Sequence, residues 1–447
     1  MADSDRWRPS VAHVALLLPW VLAIIAARLP VRDNSFLWHV TAGRLQIGTS
    51  SVLTTDPFSF TYGGAAWRTQ SWLLDLAYAW LDDRFALGYA GVLVAVSALA
   101  TYSLLLLAVW RVTSSVEATA LVGVMTAWLS AIFLNPRPVL VSYLLLAITV
   151  AVCLDRRLRW VLPALVWVWA SVHGSFVLGI GYVVLDGLRR RDRRAMIDVS
   201  SMTIAATLTA HGLGVWELLV RFLESSDALD LITEWRTPDF TGVALLPFLV
   251  GIVLLIVAGM RGTLSGGDLW VLVPFLVFSM TATRAVWPAW IPLAPMAALA
   301  LRDIPAASRS SRPATNRVLA LATAAVVILP LLIPITGSFS EEFPVEATAE
   351  LIDAPTFHDD RTGGYLIYAM GPDFEVFVDD RAELYGADHL RDVVATRSGT
   401  PEWRSVFEEW GITQALIRPD DGLVQALEDD GWSTTHVDEE YVVLVAP

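Results

Sequence analysis

Asp33, Arg137, His173, His211, Glu234, Arg236 and Arg284 share one kind of position: each stands at, or just beyond, the end of a long apolar run. Charge at such a boundary is costly, so these residues are candidates for function. An acid, imidazoles and several arginines gathered on one face suit two tasks. Guanidinium groups grip phosphate oxygens through paired N–H donors. A carboxylate or imidazole removes a proton from a hydroxyl. Asp33 follows the first apolar run directly, beside Arg32, and chemistry is assigned to it first. Plainer readings stand beside the others. The arginines could snorkel to headgroups, and His173 and His211 could serve helix turns beside Gly174 and Gly212.

The elements that would carry these residues are membrane spans. The chain has 447 residues, 55% of them hydrophobic, and all 31 basic residues are Arg. Apolar runs long enough to cross a bilayer are expected at 11–27 and near 86–110, 117–134, 138–154, 160–172, 174–188, 196–213, 243–260, 268–283, 285–301 and 317–336, about eleven in all. The pair 160–172 and 174–188 could be one broken element. The first run, preceded by Arg6 and Arg8 and ending at Ala26 and Ala27, has signal-peptide features. Its length and the spans after it favour an uncleaved first span. With the N-terminus cytoplasmic, the inner loops hold Arg111, Asp155–Arg159, Arg189–Arg194, Arg261 and the group Arg302, Arg309, Arg312 and Arg317, which is the positive-inside pattern. The boundary residues above then lie on the extracytoplasmic face of a cytoplasmic (inner) membrane.

The first outer loop, 31–85, is too rich in aromatic and apolar residues to be disordered. Amphipathic helices are expected at about Ser35–Ile47 and Gln70–Leu81, lying on the membrane surface. Trp38, Trp67, Trp72 and Trp80 form an interfacial belt, although aromatic faces also suit sugar rings. His39 lies beside Trp38. Asp56 precedes Pro57, where it could do chemistry or only start a turn.

From Glu341 onward 25 acidic residues face 6 Arg, a net of −19 against +5 for the rest. Nucleic acid is not a partner for such a tail. Short β-like runs (364–370, 375–379, 412–417, 441–446) alternate with helical ones (345–352, 401–410, 423–429). The fold class is therefore a polytopic α-helical membrane protein with a small C-terminal α/β domain. The transmembrane body is 1–340 and the acidic soluble domain 341–447. The tail's Asp379, Asp380 and Glu383 could hold a cation, but they lack a calcium-loop spacing and read as an acidic solvated turn. GxxxxGK[ST], HExxH and paired CxxC are absent, so ATPase, zincin and thiol-redox readings have no support. The lone Cys153 allows no intramolecular disulfide.

An acid just after the first span, two surface helices in the first loop, about eleven spans and an outer C-terminal domain together resemble the GT-C superfamily. These are membrane glycosyltransferases that use polyprenyl-phosphate sugars, including relatives of the protein O-mannosyltransferases. The strings DNSFLWHVTAGR, TTDPFSFT, AWRTQSWL, NPRP, SVHGSF, ITEWRTPDF, GGYLIYAM and VFVDDRAELYG resemble a bacterial branch of that group. The resemblance implies a lipid-linked sugar as partner, a glycan, lipid or protein acceptor, and the bilayer itself. Asp33 would be the base. Arg137 and Arg284, with Arg236 and His173, would hold the donor phosphate, and Trp38, His39, Trp67 and Gln70 the acceptor or sugar. Many members carry two adjacent acids, whereas Asn34 follows Asp33 here. Asp56 or Glu234 could supply the second, and a divalent cation stays open as a cofactor. Two other classes remain: a non-catalytic scaffold for lipid-linked glycan, favoured by the missing acid, and a transporter, disfavoured by the large outer loop.

Overall fold

A helix that is apolar on every side belongs at the centre of a bundle. Val286–Ala298 is such a helix: every residue of VWPAWIPLAPMAA is buried. Around it pack the helices Gly88–Thr113, Val116–Ser130, Pro138–Leu154, Leu246–Met260 and Leu269–Ser279. Trp287 and Trp290 are enclosed at this axis, and the indole N–H of Trp290 donates to Thr126 Oγ1 at 2.9 Å. The computed structural model describes residues 10–224, 232–303, 313–335, 337–371 and 373–447. The arginines at positions 6 and 8, noted before the first run, and at 309 and 312, of the inner-loop group, lie outside them.

Four of the described helices are long and apolar enough to cross a membrane: Gly88–Thr113, Val116–Phe133, Val243–Met260 and Thr283–Leu301. Shorter apolar helices occupy Val11–Ala26, Pro138–Leu154, Gly266–Ser279 and Arg317–Leu331. The chain is a multi-pass membrane protein. The uncertain pair resolves into two helices, Leu162–Ala170 and Phe176–Arg190, with a turn around His173 between them. The arginine-rich ends are tied to carboxylates: Arg159, buried, reaches Asp192 at 2.6 Å and Asp198 at 3.2 Å, and Asp186 receives both Arg189 and Arg190.

The first loop folds as two helices, Asn34–Thr49 and Trp72–Phe85, close to the expected bounds. Asp33 caps the first by accepting the N–H of Phe36 at 3.0 Å. The two helices touch at Gly43, where a Cβ would collide with the Asp75 carbonyl. From the far end of the chain, the helix Asp360–Ala369 packs on Asn34–Thr49. Phe36, Trp38, Trp67 and Tyr78 of the loop share one apolar core with Phe343, Tyr365, Leu366 and Val443.

The C-terminal segment carries a four-stranded sheet: β1 (Thr356–Phe357), β2 (Gln414–Ile417), β3 (Ser433–Val437) and β4 (Val442–Val445), in the order β1-β2-β4-β3. β1 and β2 are parallel, and β4 is antiparallel to both neighbours.

Several sequence expectations for this segment are corrected. Residues 364–370 read as β-like but lie largely in the helix Asp360–Ala369, where Gly363 and Gly364 allow close packing against other backbone. The run 375–379 makes only an isolated bridge, Val376 to Ser59. Residues 345–352 contribute only a short 3-10 turn, Ala347–Glu350. The helical run Ala382–Arg397, kinked at Gly386, and strands β1 and β3 are additional to the expected elements. The turn at 379–381 is not solvated: Asp379 and Arg381 are both buried.

Candidate functional site

A cavity of about 1340 Å³ opens where the first loop, the helix ends of the body and the C-terminal segment meet. Its walls include Arg32, Asn34, Trp38, His39, Trp67, Gln70, Arg137, His173, Glu234 and Arg284. Most residues singled out from sequence therefore do face one space. Asp33 is buried immediately behind it, joined to a wall residue. One Asp33 oxygen caps its helix, and the other accepts the Nε–H of Arg137.

Arg137 owes its place to the NPRP turn. It precedes the helix that starts at Pro138, so the fixed φ of proline sets the chain direction there. Its guanidinium is influenced by three carboxylates, Asp33, Asp380 and Glu234. Glu234 lies 3.6 Å from it and also 4.0 Å from Arg284, whose guanidinium stacks 4.3 Å above the ring centre of Trp235. Arg137 and Arg284 are 29% and 20% exposed, so both reach the cavity while held by acids.

Asp380 comes from the C-terminal segment. It lines the same cavity, accepts the indole N–H of Trp38 at 2.8 Å and also accepts the hydroxyl of Ser35. Burial lifts its carboxyl above the ordinary range, and Arg137 pulls the other way. The neighbouring acid has a different task. Asp379 grips Arg381 in a two-pronged pair, at 2.8 Å to Nε and 2.6 Å to Nη2. Arg381 Nη1 reaches Asp56 at 2.7 Å, and its guanidinium lies 4.6 Å from the ring centre of Trp67.

That arrangement defines the surroundings of Asp56. Its oxygens accept the N–H of Phe58 at 3.1 Å, the N–H of Ser59 at 3.2 Å and the Ser59 hydroxyl, in addition to Arg381. It is buried and absent from the cavity wall. The turn and the ion pair account for its contacts.

The histidines divide similarly. His39 donates from Nδ1 to the fully buried Asp75 at 2.7 Å and stacks on Trp38 with ring centres 3.6 Å apart. The Nδ1 of His173 accepts the N–H of Ser175 at 3.1 Å, which holds the ring in the cavity wall. His211 donates to the carbonyl of Thr69 at 2.7 Å and braces the loop that carries Gln70. Trp67 donates to Glu383 at 3.2 Å. Arg236 is not on the wall, and its carbonyl accepts the N–H of Thr283 at 2.9 Å. Among the described residues no group of three or more His, Cys, Asp or Glu side chains is arranged to hold a metal ion.

No protein-family model matches the chain, and no curated protein matches it by sequence. Solved structures do. The crystal structure of ArnT from Cupriavidus metallidurans, bound to undecaprenyl phosphate, aligns over 97% of this chain and 97% of its own, with a TM-score of 0.55 at 14% identity. This chain has the GT-C fold. The likeness runs through body, first loop and C-terminal segment alike. Within this fold, the side chains not assigned to the site from sequence are C-terminal: Asp380, Arg381 and Asp360 also line the cavity. The signal was present in VFVDDRAEL, where a charged triplet sits inside an apolar run and therefore has to be paired when buried.

Proposed function

We propose that the protein is a membrane glycosyltransferase that moves a sugar from a polyprenyl-phosphate donor to a cell-envelope acceptor on the extracytoplasmic face. The observation that carries this reading is the Asp33–Arg137 pair, with Arg284 on the same cavity, in a GT-C fold whose solved relative holds undecaprenyl phosphate. The arrangement suits about eleven spans with a cytoplasmic N-terminus, a body of 1–340 and a soluble domain of 341–447.

The chemistry follows from the partners of Arg137. A donor phosphate entering the cavity competes with Asp33 for the guanidinium, and Arg284 adds a second cation. Once Arg137 turns to phosphate, one Asp33 oxygen is released to take the acceptor's hydroxyl proton. The acceptor oxygen bonds to the anomeric carbon, the bond from that carbon to the phosphate oxygen breaks, and its electron pair stays on the lipid phosphate. The arginines stabilise the charge that grows there. Trp38, Trp67 and Gln70 border the space for sugar and acceptor, and Glu234 bridges the two arginines and screens their repulsion.

A non-catalytic scaffold that binds lipid-linked glycan is the alternative, favoured by Asn34 standing where an adjacent acid is common in the superfamily. The test is mass spectrometry of lipids retained by detergent-purified protein, wild type against Arg137→Ala with Arg284→Ala. Enrichment of a polyprenyl phosphate or its sugar ester in wild type alone supports the donor site. Bulk phospholipid in both, after incubation with undecaprenyl-phosphate sugars, removes it.

A further inference from the structure

We propose that Asp380, supplied by the C-terminal segment, is the carboxylate that binds the hydroxyls of the donor's sugar and so sets which sugar is accepted. The inference rests on the lipid-linked-sugar reading above and deepens it.

The first argument is connectivity. In a polyprenyl-phosphate sugar the ring is joined to the phosphate through a single bridging oxygen. If the phosphate lies against Arg137, the ring must lie beside the groups around Arg137. Asp33 pairs with that guanidinium, Glu234 lies 3.6 Å from it, and Asp380 lines the same cavity. Asp33 is engaged by its helix cap and by Arg137. Glu234 stands between Arg137 and Arg284. Asp380 is the one held by neutral donors, the hydroxyl of Ser35 and the indole N–H of Trp38 at 2.8 Å.

The second argument is capacity. A carboxylate offers about four acceptor sites on two oxygens. Ser35 binds one oxygen of Asp380 and Trp38 the other, so each keeps a further lone pair for a substrate hydroxyl. These two bonds also fix the plane of the carboxylate. The indole of Trp38 lies against it, and Trp67 meets Trp38 edge-on with ring centres 5.7 Å apart. Aromatic edges and faces beside an oriented carboxylate make a site for a polyhydroxylated ring.

The third argument is rigidity. On either side of Asp380, Asp379 and Arg381 are buried in their mutual ion pair, and the Arg381 N–H donates to Asp379 at 2.9 Å. The backbone is thus anchored before and after the one acid of the pair that reaches the cavity. Specificity needs a group that cannot move away from the wrong partner.

The test uses full-length protein in lipid nanodiscs, with binding measured for undecaprenyl phosphate and for a panel of its hexosyl and pentosyl esters. Wild type should bind at least one ester about tenfold or more tightly than the bare lipid phosphate. Asp380→Asn should bind the bare lipid phosphate as tightly as wild type or more tightly, while its preference for that ester over the bare lipid falls roughly 10- to 100-fold, the scale of hydrogen bonds to a charged group. Retained binding of the bare lipid also shows that the variant is folded. If Asp380→Asn leaves the ester preference intact, or wild type shows no preference, the role of Asp380 is overturned and the lipid-phosphate site stands. If wild type binds neither probe, the lipid-linked-sugar reading fails and this inference with it.

Discussion

Asn34 accepts the backbone N–H of Tyr365 at 2.9 Å, and its amide N–H donates to the carbonyl of Asp360 at 2.8 Å. The residue after Asp33 is therefore a brace between the first loop and the C-terminal helix. It needs one donor and one acceptor on the same side chain, which an amide has and a carboxylate lacks. Asn34 thus has a structural role of its own at this position. Asn34→Asp should lower stability by about 1–3 kcal/mol, because the amide–carbonyl bond is lost and a carboxylate oxygen is set against the Asp360 carbonyl, with no gain in transfer. Thermal unfolding in detergent reads the first effect. A variant with increased turnover and unchanged stability would mean that position 34 is a vacated catalytic position instead.

Arg381 couples the same two regions through charge. It is 1% exposed and pairs with two buried carboxylates, Asp56 from the loop and Asp379 from the C-terminal segment. Arg381→Met leaves both acids without a cation in a buried place, a loss on the order of 3–5 kcal/mol. Arg381→Lys should recover little of it, because a single ammonium cannot reproduce the two-pronged pair with Asp379. Equal melting temperatures for wild type and the Met variant would contradict this account.

Much of the body was legible because bilayer crossing imposes a length and an apolarity that a sequence displays. The helices at 138–154 and 246–260 fall within a few residues of the expected runs. Asp33, Arg137, Glu234 and Arg284 could be grouped because a charged residue at a span end is conspicuous. Docking of the C-terminal segment left no such mark. Asp380 and Asn34 are about 350 positions apart, and no local rule brings them to one cavity. Asp379, Asp380 and Glu383 read as a solvated turn because local charge implies water, whereas here Asp379 is buried in its pair with Arg381. The helix at 360–369 was missed because its paired glycines weaken a helical signal. They are there for contact: a Cβ on Gly364 would collide with the Asn34 carbonyl.

That docking has a pH signature. Burial, with Asp359 and Asp380 nearby, raises the Asp360 carboxyl from its ordinary value to about 6. A carboxyl raised in the folded state binds its proton more tightly there than in the unfolded chain. Its protonated form is therefore tolerated at low pH, and stability is lost as pH rises through the window from about 4 to about 6. Asp360→Asn removes that titration. The melting temperature of Asp360→Asn minus that of wild type should increase from pH 4 to pH 7 and level off above. A difference that stays constant across the range would refute the coupling.

Asp33 carries two loads that a pair of substitutions can separate. Its carboxylate caps the helix Asn34–Thr49 and it pairs with Arg137. Asn is as good an N-cap as Asp, whereas Ala loses the cap at a cost of about 1 kcal/mol. Asp33→Asn should therefore keep the fold and lower sugar transfer by roughly 10²- to 10⁴-fold, the range for loss of a general base. Undecaprenyl phosphate binding should be equal or tighter, since Arg137 then has one competing anion fewer. Asp33→Ala should show the same chemical loss with a lower melting temperature as well. If Asp33→Asn transfers sugar at the wild-type rate, Asp33 serves only to cap the helix and hold Arg137, and the base must be sought among the other carboxylates of the cavity.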